Sequence, residues 1–199
     1  GGLGHICSAT GESNKALEIG QRHIDYGQKH GDVRSTVFGY IDLGFGYFIA
    51  GDFSKAIHSF QEAFQVSPDP FFAMYAQFWL GASYLMENRV QEAESQLRDV
   101  LKFAYAHGTE LFEHSTIGFL GVVSILKGRL SDGLKMIEEG VSGHSREDRK
   151  SLHALMEHTL GKVYLQIAQG EGPKSLLYMI KNIGFLVRNV PLARKKAEE

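Results

Sequence analysis

An all-α fold, built as a linear array of antiparallel helix pairs, is what the sequence predicts, and three observations predict it. The first is a beat. A Leu-Gly pair recurs at Leu3-Gly4, Leu43-Gly44, Leu80-Gly81, Leu120-Gly121 and Leu160-Gly161, in steps of 40, 37, 40 and 40 residues. Self-similarity at a period of this size marks a repeat architecture. The second is the stretch 40–68, YIDLGFGYFIAGDFSKAIHSFQEAFQVSP, which reads as two amphipathic helices around a tight turn at Gly51-Asp52. Gly44, Ala56 and Ala63 stand where the two helices must touch, because a residue with little or no side chain lets backbones approach closely. Tyr40, Leu43, Tyr47 and Phe60 fill the space around those contacts. The third is negative: prolines number only four, and no β-branched alternating run reaches strand length with hairpin punctuation.

The elements follow in order. GGLGHICSATGE reads as the end of a first helix with its turn, and Asn14 to Lys29 as the second helix, with Ala16 at the small position. His23 occupies the place of a second small residue, which predicts looser packing there. After the unit at 33–68, Phe71 to Glu87 forms the next first helix, carrying Trp79, Leu80, Gly81 and Tyr84. Its partner runs from Val90 to Ala106 with Ala93 and Leu97 in register and Val100 in place of the last small residue. The fourth pair spans Glu110 to Lys127 and Ser131 to Val141, with Gly121, Gly133 and Gly140 at the small positions and Gly128 closing the turn. Glycine in a helix interior costs about 1 kcal/mol relative to alanine, so tertiary packing has to offset it, and this unit is expected to be the most mobile. A fifth first helix, Arg149 to Ala168, carries Leu160, Gly161 and Tyr164. Pro173 then suits the first turn of a helix. Lys174 to Leu186 is apolar but lacks the small residues of a second helix, and reads either as an inserted helix or as a displaced repeat helix. The expected units are 1–30 (partial), 33–68, 70–107, 109–143 and 147–199, together one repeat domain. Both ends read as cuts through repeats of a longer protein, with self-association expected through an exposed array end, more readily the C-terminal one.

Tyr40, Leu43, Gly44, Tyr47, Ala56, Phe60, Ala63 and Pro68 resemble, in order and spacing, the signature of the tetratricopeptide repeat. The period exceeds the roughly 34 residues of the standard repeat, and the surplus should lengthen helices or loops. The resemblance implies a right-handed superhelical array, an α-solenoid, whose first helices line a concave face. Carried over by register, it puts Ile41, Phe45, Phe48 and Ile49 toward the groove in the second unit. The third unit contributes Tyr75, Phe78, Ala82, Leu85 and Met86, the fourth Val122, Ile125 and Leu126, and the fifth turns polar with His158, Lys162 and Gln166. Chaperone-binding members of the family clamp a terminal carboxylate with lysine and asparagine; Ile41 and Phe45 stand there here, which argues against such a clamp. The apolar stripe has two readings: core, as apolar stripes on helices usually are, or an open groove that takes up an apolar segment of a partner.

Composition narrows the chemistry. The 199 residues are 43% apolar and 22% charged with a formal charge of −2, a soluble globular balance with no electrostatic pull toward nucleic acid or anionic membrane. One cysteine, Cys7, cannot form an internal disulfide, which fits a reducing cytoplasm. No transmembrane run or signal peptide is visible. His153 and His158 are five apart, which does not put two imidazoles on one helix face, so no metal site is expected. GEGPKS, residues 170–175, lacks both the glycine before lysine and the preceding strand of a phosphate loop. No Gly-x-Ser-x-Gly elbow occurs. Neither a cofactor nor catalysis is expected. The function expected is a scaffold for a protein or peptide partner. KGRLSDGLKMIEEGV and PLARKKAEE are similar to the C-terminal arrays of bacterial nucleotide cyclase and P-loop ATPase signalling proteins, which implies a regulatory role. An all-helical enzyme or small-molecule-binding domain using the groove is the alternative.

Overall fold

The computed structural model describes residues 11–143, together with Glu157, Leu160, Gly161 and Leu165. The segment 174–186, read as an inserted or a displaced repeat helix, and both chain ends lie outside the described residues. Seven helices have both ends among them: α1 (Ser13–His30), α2 (Val33–Ala50), α3 (Phe53–Val66), α4 (Pro70–Met86), α5 (Val90–His107), α6 (Glu110–Leu126) and α7 (Leu130–Gly143). Every regular element among the described residues is an α-helix. The chain divides into two compact units, Gly1–Phe103 and Ala104–Glu199, with α5 running through the division.

Turns of two or three residues join these helices, and turns that short force neighbours to run antiparallel. Two of them use one device. Gly31 and Gly51 close α1 and α2 in the left-handed region, at φ 66° and 79°, where a Cβ would collide with the following carbonyl. The next residue, Asp32 or Asp52, gives its N–H back to Gly27 O (2.9 Å) or Tyr47 O (3.0 Å). Its carboxylate then opens the following helix, accepting from Arg34 N (3.1 Å) or Lys55 N (3.2 Å). One Gly-Asp pair thus ends one helix and starts the next. Asp69 opens α4 with Pro70 at its first position, and Asn88 and Gly128 take the left-handed residue after α4 and α6.

In the first unit each helix packs on its neighbours in sequence, and α2 also touches α4. The small residues work as expected. A Cβ on Gly44 would stand 2.5 Å from Phe60 Cε1, and one on Gly81 2.8 Å from Leu97 Cγ. Ala56, Phe60, Ala63, Ala93, Leu97 and Val100 are wholly buried. Aromatic rings join α2, α3 and α4: Phe45 meets Phe60 edge-on at 5.5 Å and Trp79 at 4.8 Å, and Phe38 meets Phe72 at 4.8 Å. In the second unit α6 and α7 approach through glycine itself, since a Cβ on Gly121 would lie 2.6 Å from Gly133 O. The helical cost of those glycines is offset by a backbone contact no other residue permits.

The α1–α2 joint departs from expectation. A Cβ on Gly20 would sit 2.9 Å from Gly39 O, and one on Gly39 2.7 Å from Gly20 O. Beside that contact the predicted looseness at His23 is absent: its Nδ1 stands 2.9 Å from Oδ2 of the buried Asp42. A polar pair replaces the small residue.

Candidate functional site

The first helices α2 and α4 are apolar almost all round, whereas α1, α3, α5 and α7 each carry one apolar face. A helix apolar on every side is covered on most of them, and that decides where the candidate groove residues lie. Ile41, Phe45, Phe78 and Ala82 are buried within the first unit. Phe45 is held by Phe60 and Trp79, and Phe78 meets Trp79 edge-on at 5.4 Å. These four belong to the core, so the candidate surface contracts. Tyr75 is half-buried beside them, and burial pushes its phenol up to about 12. Phe48, Leu85, Val122 and Ile125 are half-buried. Phe48 leans on Phe53 at 5.5 Å and on Trp79 at 5.7 Å.

Three candidates are exposed: Ile49 at 36%, Met86 at 55% and Leu126 at 41%. Each lies six residues after the leucine of its Leu-Gly pair, in the last two positions of its helix. The residue just before each of them, Phe48, Leu85 or Ile125, is half-buried. Every completely described first helix therefore ends in an apolar pair, one member anchored and one in water. The last turns of α2, α4 and α6 carry no basic residue. His158 and Lys162 lie outside the described residues.

Two solved structures match over nearly the whole chain. Both hold nearly identical TPR-like repeats of a protein from Podosopora anserina assigned as a kinesin light chain, one of them in a form with a single glutamine-to-methionine substitution. The substituted form has a TM-score of 0.59 at 15% identity, covering 98% of this chain and 93% of its own. The other has the same score and identity, covering 99% and 94%. The fold is a TPR-like repeat array. No protein-family model matches the chain, and no curated protein does.

In this TPR-like array Gly44, Gly81 and Gly121 of the Leu-Gly pairs each sit at a close helix contact. Three of the exposed apolar residues, Ile49, Met86 and Leu126, share one register six residues after the leucine, while others such as Tyr26, Val33, Phe71 and Tyr105 lie elsewhere. Sequence reasoning put both members of each terminal pair on the candidate surface without separating the anchored from the exposed. No sequence signal separates the two, because α2 and α4 are apolar almost all round and periodicity does not orient such a helix. Among the described residues no three His, Cys, Asp or Glu side chains gather as a metal site, and no helix is long and apolar enough to cross a membrane. What the exposed Ile49, Met86 and Leu126 offer chemically is apolar contact.

Proposed function

We propose that this chain is a non-catalytic scaffold that binds a protein or peptide partner through the apolar ends of α2 and α4. The observation that carries the reading is the recurrence, within the first unit, of an exposed apolar residue at one register: Ile49 and Met86. Scattered exposed apolar residues are ordinary, but an ordered series on a repeat scaffold suits a partner that lays down successive apolar side chains. The TPR-like fold supports the same role. The likeness of KGRLSDGLKMIEEGV and PLARKKAEE to arrays that follow cyclase and ATPase domains supports a regulatory place in a larger cytoplasmic signalling protein. The partner then includes, as one case, another domain of the same chain.

Photocrosslinking tests this. A crosslinking amino acid placed at Ile49 or Met86 should capture one dominant protein adduct, and one placed at the exposed Arg98 on α5 should not. Met86→Asp beside a crosslinker at Ile49 should abolish that capture while the thermal midpoint stays within a few degrees, since surface changes are worth about 0.5 kcal/mol or less. Equal adducts from Arg98, or none from either apolar position, would sink the reading.

A further inference from the structure

The α1–α2 joint holds a buried charge that packing alone does not require. Asp42 lies in α2 three residues beyond Gly39, and His23 lies in α1 three residues beyond Gly20, so the pair sits beside the closest approach of the two helices. The Asp42 side chain is 1% exposed, and its Oδ2 is 2.9 Å from Nδ1 of His23, which is 32% exposed. Among the described residues the imidazole is the hydrogen-bond partner this carboxylate has. A buried anion needs such a donor, because an ionised carboxylate out of water is far costlier than a neutral polar group.

We propose that His23 and Asp42 form a proton-governed clasp of the α1–α2 joint, needed while the carboxylate is charged and dispensable once it takes up a proton. Charged, the carboxylate accepts from the His23 N–H, and the joint depends on that bond. Protonated, the neutral carboxyl tolerates burial without it. Burial holds Asp42 above the ordinary carboxylate value, with His23 opposing that rise. A group raised in the fold takes its proton before the unfolded chain does. The cost of burying it is therefore full above the raised value and falls away as pH drops through it.

The described titratable groups around the pair are neutral, or lie exposed on the helix surfaces. On α4, Tyr75 feels the Asp42 charge, and burial first, with that charge as well, holds its phenol neutral. On α1, Glu18, Arg22 and Asp25 are exposed; Arg22 pairs with Glu18, and Asp25 accepts from Gln21. On α3, Lys55 and His58 are exposed, and Lys55 pairs with Asp52.

The test is the thermal midpoint of the wild type, His23→Ala, Asp42→Asn and the double variant, at neutral pH and at about pH 4.5. His23→Ala should lower the midpoint by roughly 5 °C at neutral pH and by less than half as much in acid. In the Asp42→Asn background it should lower it by almost nothing. A loss equal at both pH values, or one that persists beside Asp42→Asn, overturns the clasp. Should His23→Ala fail to fold at neutral pH, carbon NMR of the wild-type Asp42 carboxyl decides. Titration above the ordinary carboxylate value supports the clasp, and titration at or below that value overturns it.

Discussion

Gly44 shows at a single residue how the chain uses absence. A Cβ there would overlap the ring of Phe60, which is wholly buried and has no room to retreat. Gly44→Leu should therefore destabilise by about 1–3 kcal/mol through overpacking. Ala56→Leu, on the facing helix, should cost a similar amount. Urea denaturation measures both, and an unchanged midpoint for the pair would show that α2 and α3 do not meet at these positions. The Gly121–Gly133 contact is stricter, because the obstacle is backbone carbonyl rather than a side chain. His23 marks the opposite case, a polar residue at a position usually small, made tolerable by one hydrogen bond to Asp42.

Among the elements, α2 is the best defined from its own sequence. Asp32 caps it with a carboxylate that accepts from Arg34 N at 3.1 Å and from the Ser35 hydroxyl at 2.6 Å. The Ser35 hydroxyl, then the Ser35 and Arg34 amides, hold Asp32 below the ordinary carboxylate value. The folded carboxylate thus keeps its charge at pH values where the unfolded one has lost it. Its contribution is complete above the unfolded value and disappears as pH falls through the depressed folded one. Asp32→Asn, which keeps the cap but not the charge, should flatten that acid limb of the thermal midpoint. Asp32→Ala should lower the midpoint at neutral pH as well. An acid limb that is identical in all three proteins would remove Asp32 from the account.

Within each unit the described helix contacts run mainly between neighbours in sequence, with α2 on α4 the exception. Stability in such an array is close to a sum of local terms. Gly44 meets Phe60, whereas Gly121 meets Gly133 and Ile137, so the two contacts share no residue. The Gly44→Leu and Gly121→Leu losses should therefore add to within about 0.5 kcal/mol in the double variant. A larger discrepancy in denaturation would reveal coupling that the neighbour contacts do not carry.

Much of this was legible before any coordinates, and what was legible is local. A left-handed turn residue, an aspartate that can cap, and a glycine recurring in register act over a few positions, so the turns at Gly51 and Gly128 and the α2–α3 contact follow from the residues themselves. The face of α2 or α4 that stays open does not follow. Both helices are apolar almost all round, and periodicity cannot orient a helix with no polar side. Tertiary packing decided that Ile41, Phe45, Phe78 and Ala82 are enclosed while Ile49 and Met86 remain in water. The Gly20–Gly39 approach and the His23–Asp42 pair were decided the same way, because each joins residues 19 apart in the chain that meet only once α1 has folded back along α2.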